Sequence, residues 1–282
     1  MGGFSYMGLR IQTNMPSVVA QRQLRMNSTG LERSMERLAS GYRINKAMDD
    51  VAGLAISESM RGQLRGLAQS ERNAQDGISF VQVADGGLGE ATNVMVRIRE
   101  LATQAASDTI GESERGFVNV EVTELLKELD RIANSTEYSG AKLLDGSAPS
   151  LDFQIGIRGT EFDYITYAAG SSNATVDSLG ISGISVQSKE DARATLEAID
   201  PAIQKVAEMR ANFGAVQSRL NTSVANIATY RENLSAATSR IKDADMAEES
   251  ANLAKNTILQ QAGVATLAQA NGATAAAIKL IG

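Results

Sequence analysis

The stretch Val81-Gln-Val-Ala84-Asp-Gly-Gly-Leu88-Gly-Glu-Ala91-Thr-Asn-Val-Met95-Val-Arg-Ile98-Arg-Glu-Leu-Ala102-Thr-Gln-Ala105 decides the fold. Val81, Ala84, Leu88, Ala91, Met95, Ile98, Ala102 and Ala105 recur at alternating steps of three and four, with no polar member. That spacing returns an apolar side chain to one side of an α-helix at every turn, and its persistence marks a helix packed along a seam. Gly86-Gly87-Leu88-Gly89 sits inside it. With no strand before it and no Gly-Lys-Ser/Thr after it, this cluster reads as close helix packing and not as a phosphate loop.

The same alternation extends in both directions. Towards the amino end it runs through Leu24, Ser28, Leu31, Met35 and Leu38. After a break at Thr109-Ile-Gly111, a shorter helix carries Val118, Val122, Leu125, Leu129 and Ile132. The longest run passes from Leu196 through Ile199, Ile203, Val206, Arg210, Phe213, Gln217, Leu220, Val224, Ile227, Arg231, Leu234 and Thr238 to Ile241. A helix over 189–241 would be about 80 Å long. Ser188 with Asp191 supplies its start signal, and Pro201 is expected to kink it or split off its first turns. The heptad repeats Phe213, Leu220, Ile227 and Leu88, Met95, Ala102 are expected to pack together. The last run is Leu253, Thr257, Gln260, Val264, Leu267, Asn271, Thr274, Ile278 and Ile281. Four of its members are polar, so it reads either as a helix completed by neighbouring molecules or as a frayed tail.

Between these helical halves, Leu151, Phe153, Ile155 and Ile157 alternate with polar residues or glycine, and Phe162–Tyr167 follows a turn at 158–160. That is a β-hairpin signal. Residues 169–185, rich in Gly, Ser, Asn and Thr, read as a surface loop. The expected fold is mainly α: long antiparallel helices forming a rod and a terminal coiled-coil pair, with a small hairpin in the middle.

Composition narrows the function. The 282 residues contain no His and no Cys, which removes His-based triads, thiolate chemistry, His-ligated metals and disulfides. Asp49-Asp50 and Asp243-Ala-Asp245 come closest to an ion site, but the second lacks the glycine and terminal glutamate of a calcium loop. No catalytic residue, cofactor or metal is expected. The net charge of −6 argues against nucleic acid as main partner, and no run of about 18 apolar residues suits a membrane span. Residues 1–66 carry nine basic and five acidic side chains, a net of +4, leaving −10 for the rest. Two readings stay open: attraction between one copy's amino-terminal segment and another's acidic body, or solvated helix faces. Met1–Arg10 lacks a secretory-signal pattern.

Long blocks at both ends carry a specific resemblance. Leu38-Ala-Ser-Gly-Tyr-Arg-Ile-Asn-Lys-Ala-Met-Asp-Asp-Val-Ala-Gly-Leu-Ala-Ile56, Asn73–Ala84 and Arg97–Gln104 resemble the amino-terminal signature of bacterial flagellin. Ser239-Arg-Ile-Lys-Asp-Ala-Asp-Met-Ala-Glu-Glu249 and Ile258–Asn271 resemble its carboxy-terminal one. The likeness spans roughly 10–147 and 188–280, and residues before Met7 extend beyond the usual family start.

The resemblance implies a filament subunit: 1–50 with 243–282 as the inner core, 51–147 with 186–242 as a helical rod, and 148–185 as a hairpin and short variable loop without a large outer domain. Leu24, Leu31, Met35, Leu38, Leu253, Val264, Leu267, Ile278 and Ile281 would be assembly seams. It implies other copies of the chain as partners, with flagellar cap and hook-junction proteins, the flagellar type III export apparatus and an export chaperone, and an extracellular location. A vertebrate Toll-like receptor is a further partner of some family members, and Arg97, Leu101, Gln104 and Glu121 match the positions concerned, with Val96 where Gln is usual. Rival readings are a hook–filament junction protein, which shares the terminal helices, and a coiled-coil binding module that never polymerises.

Overall fold

The computed structural model describes residues 13–281 except 148, 149, 168, 169 and 171, with side chains as far as 272. Helices dominate: α1 (Met15–Ser40), α2 (Val51–Ala105), α3 (Glu112–Ser135), a short α4 (Val176–Leu179), α5 (Lys189–Lys242) and α6 (Met246–Ile281). Between α3 and α4 lie two antiparallel hairpins, β1 (Glu137–Tyr138) with β2 (Ala141–Lys142), and β3 (Leu151–Gln154) with β4 (Tyr164–Tyr167). The chain divides into two units, one of residues 1–61 and 234–282, the other of 62–233.

Local chemistry sets the helix ends. Asn14 caps α1 by accepting from Ser17 N at 3.2 Å, and Gly41 ends it in the left-handed region at φ 73°. Ser188 Oγ accepts from Asp191 N at 3.0 Å, the expected start of α5. The Arg115 side chain donates to the carbonyls of Ala105 and Ser107, closing the carboxyl end of α2. Helix α5 runs unbroken through Pro201, so the expected split does not occur.

In the unit of residues 62–233, α2 and α5 are antiparallel. Asp85 meets Arg210, Asp200 meets Arg99, and Glu71 meets Arg231. The α2 seam is buried throughout its quoted run, from Val81 to Ala105. Phe213, Leu220 and Ile227 are buried as well, but that antiparallel register sets them opposite the earlier part of α2 instead of Leu88, Met95 and Ala102. A Cβ on Gly77 would lie 3.3 Å from Leu220 Cδ1 and 2.9 Å from Phe153 Cδ1, so the bare backbone there lets strand β3 and α5 close onto α2. Rings finish the join: Phe153 packs edge-on to Phe80 at 5.6 Å, and Tyr167 lies 4.7 Å from Phe213. Gly87 serves the same end, because a Cβ there would meet Thr136 and Leu144.

Two expectations need correction. Residues 169–185 are not simply a surface loop: Ser172, Ala174, Leu179 and Ile181 are buried, and Asn173 bridges to Asp145. Enough apolar side chains punctuate this polar stretch to fold it back as α4 and its flanks. The tight β1–β2 hairpin was not anticipated either; Ser139 and Gly140, both at positive φ, form its turn.

Candidate assembly surfaces

Helices α1 and α6, from opposite ends of the sequence, pair antiparallel in the unit of residues 1–61 and 234–282. Asn14 Nδ2 donates to Ala270 O at 3.0 Å, and Arg37 reaches Glu249 at 3.8 Å. A Cβ on Gly263 would press within 2.9 Å of Leu24 Cδ2, and one on Gly30 within 3.2 Å of Asn256 Nδ2. The covered side of α1 follows Ser17, Ala20, Leu24, Asn27, Leu31, Ser34 and Leu38, and that of α6 follows Glu249, Leu253, Asn256, Gln260, Gly263, Leu267 and Ala270.

This is a heptad seam shifted at every second position from the expected one. Leu24, Leu31, Leu38, Leu253 and Leu267 lie in it. Buried Asn27 and Ser34 stand beside half-buried Ser28 and exposed Met35, Gly263 and Ala270 replace exposed Val264 and Asn271, and Asn256 shares the half-buried side with Thr257. Met35 and Val264 are exposed. Small and polar residues alternate with the leucines at the close approach, and Met35 and Val264 turn outward. Ile278 and Ile281 lie beyond the described side chains. In the α5 run Ala202 and Val216 are buried beside Ile203, which packs against the core, and Gln217, which is half-buried.

The pair keeps further apolar residues on its outside. Met15, Val18, Val19 and Met26 on α1, and Ile258 and Leu259 on α6, are exposed. Met15, Pro16, Val19, Ala20, Gln23 and Thr266 line a shallow groove of about 500 Å³. Next to the pair, the two interhelix linkers are stitched together. Arg43 N donates to Lys242 O at 2.7 Å, Ala244 N to Gly41 O at 2.9 Å, and Arg43 Nη2 to Ile241 O at 2.7 Å. Lys242 Nζ stands 4.8 Å over the Tyr42 ring.

A second surface lies on α2 and α3. Arg97 donates through Nε and Nη2 to Glu121 Oε1 at 3.0 and 2.8 Å and through Nη1 to Glu100 at 3.2 Å. The hydrogen bond to Glu121, with Glu100 second, holds the guanidinium pKa above its ordinary value. Gln104 is exposed, whereas Leu101 is only 2% exposed and supports this face from below. Phe117 and Val120, on the same helix as Glu121, are strongly exposed; sequence periodicity missed them because they fall outside the seam.

Three of the four carboxylates of the acidic pairs, those of Asp49, Asp50 and Asp245, accept backbone N–H groups. Asp49 Oδ2 accepts from Asn45 N and Lys46 N, mainly the latter bond holding its carboxyl below the usual range, and Asp50 accepts from Gly53 N. Asp245 accepts from Ala247 N and Glu248 N at the start of α6. No group of three or more acidic side chains placed to hold a metal occurs among the described residues, and no helix there is long and apolar enough to cross a membrane.

Residues 11–148 match the family described as the bacterial flagellin N-terminal helical region, and residues 196–281 match its C-terminal helical region. The chain belongs to the bacterial flagellins. It is 41% identical to a flagellar filament 33 kDa core protein of Treponema phagedenis, covering 96% of this chain and 99% of that one. It is 39% identical to a flagellin of Bacillus subtilis, covering 93% and 96%. The crystal structure of Bacillus cereus flagellin superposes with a TM-score of 0.50 at 30% identity, over 59% of this chain and 94% of that one. This flagellin is a structural subunit that self-assembles into the bacterial flagellar filament, the extracellular organ of motility. The junction-protein and non-polymerising readings gain no better support.

Proposed function

We propose that the α1/α6 pair is the surface through which this flagellin packs against other copies in the filament core. The observation that carries the reading is the pair's composition. Its own seam is filled with Ser, Asn, Gln, Gly and Glu alongside the leucines, while Met15, Val19, Met26, Met35, Ile258 and Val264 stay exposed. Exposed apolar area of this kind is stabilised when a partner covers it, at about 25 cal/mol per Å². Residues 1–50 with 243–282 then act as inner core, 51–147 with 186–242 as rod, and 148–185 as the small hairpin region. The role is structural and not catalytic.

Family membership supports extending this reading to finer partners. The subunit leaves the cell through the flagellar type III apparatus with an export chaperone, and meets cap and hook-junction proteins at the ends of the filament. Arg97, Gln104 and Glu121, with Phe117 and Val120 beside them on α3, offer the face for a Toll-like receptor, with Leu101 beneath. Limited proteolysis of free subunit against seeded filament tests the main reading. Cleavage within 13–45 and 245–272 should be fast in the free subunit and suppressed in filaments; equal resistance in both states would refute it.

A further inference from the structure

Methionine is distributed unevenly over this fold. Met15, Met26, Met35, Met48 and Met246 are 50%, 61%, 53%, 84% and 51% exposed, and all five belong to the unit of residues 1–61 and 234–282. In the unit of residues 62–233, Met95 is fully buried and Met209 packs against the core. Met60 is half-buried, its Sδ accepting from Thr238 Oγ1 at 3.6 Å. The chain has no Cys, Trp or His, so these thioethers are its most readily oxidised side chains. Met15 and Met26 also share a face. At 3.6 residues per turn they and Val19 lie within about 40° of one another around α1, on the side away from Leu24 and Leu31.

We propose that Met15 and Met26 form an oxidation-sensitive modification site, at which two-electron oxidants of the peroxide class block addition of the free subunit to the filament. The thioether sulfur attacks one peroxide oxygen and the O–O bond breaks. That oxygen stays on sulfur as a sulfoxide, and the other leaves as water. Sulfur loses two electrons and the peroxide gains them. A flexible apolar side chain becomes a polar one, on a face whose contribution to assembly depends on losing water. The rod core is spared because its methionines are buried. This inference rests on the reading of the outward face of α1 as a contact between copies.

The test treats free subunit with hydrogen peroxide, maps sulfoxides by peptide mass spectrometry and follows elongation of seeded filaments. Elongation should fall about tenfold or more once Met15 and Met26 are oxidised, and methionine sulfoxide reductases should restore it. Each variant is compared with its own untreated rate: M15L/M26L should keep most of that rate after peroxide, M15L and M26L alone should keep part of it, and M48L should lose as much as the parent. Unimpaired elongation of fully oxidised parent, or equal fractional loss in the parent and M15L/M26L, overturns the inference. A different outcome would strike the underlying reading: Met15 and Met26 oxidising as fast in intact filaments as in free subunit would mean that no copy covers them.

Discussion

The α2/α5 pair within 62–233 and the α1/α6 pair solve the same geometric problem with opposite chemistry. In the first, the covered side of α2 is continuously apolar from Val81 to Ala105, and α5 answers with Ile199, Val206, Phe213 and Leu220. Charged residues at its margins, Arg99, Arg210 and Arg231, find carboxylates across the pair. In the second, Ser17, Asn27, Ser34 and Glu249 are buried in the interface beside the leucines, and Met15, Val19, Met26, Ile258 and Val264 lie outside it. One pair is complete within a single chain. The other is held lightly within the chain and leaves large apolar side chains exposed, free for the contact between copies proposed above.

Replacing Leu220 with Asp should break the first pair. The new carboxylate would sit at a fully buried position without a cationic partner, costing several kcal/mol. Thermal melts should show loss of cooperative unfolding, and no filament should sediment. A variant that melts and polymerises like the parent would mean that the α2/α5 core is not what holds this unit.

Gly263→Val tests the second pair. Its Cβ would press on Leu24, and overpacking of this kind costs about 1–3 kcal/mol. Elongation should drop steeply while the main melting transition stays in place, since that belongs to 62–233. A shifted main transition would show that the two pairs are energetically inseparable.

Asn27→Leu should act in the other direction. It exchanges a buried amide for apolar contact in the α1/α6 seam, and about 1 kcal/mol of extra stability is expected. Proteolysis of free subunit at α1 should slow. Unchanged or faster cleavage would show that the amide contributes more than its apolar replacement.

The smallest effect concerns the surface charge of the first pair. Lys189 hydrogen-bonds Asp108 and holds its carboxyl below the usual range. A depressed carboxyl contributes stability above the ordinary carboxylate pKa and loses it as pH falls through that range. Asp108→Asn should therefore melt slightly lower than the parent at pH 7 and match it at acid pH. A difference that grows on acidification would reverse the sign and discount the ion pair.

The apolar seam of α2 was legible residue by residue because each of its members is apolar. The α1 and α6 seams were legible as helices but misphased. Reading for hydrophobicity selects Met35 and Val264, whereas close packing selects Ser34 and Gly263. Outward-facing apolar residues such as Met35 and Val264 outweigh, by hydrophobicity, the small ones that the pair itself uses. The segment after β4 failed for the converse reason. Its composition is that of a loop, and only contact across the fold shows Ala174 and Ile181 to be core. Leu101 illustrates the same limit for sites, because a family motif gives a residue's identity without saying which way it points.

The bond from Asn14 to Ala270 joins residues 256 positions apart. A chain synthesised from its amino end must therefore present α1 long before α6 arrives. Loop-closure entropy grows slowly with length, so distance along the chain hampers the timing of this pairing more than its final strength. Until α6 is made, α1 is a helix-forming segment without a mate. A seam of serines and asparagines gives it little with which to hold a wrong one. The same polarity that leaves the finished pair lightly held thus favours a chain that stays single until both its ends exist.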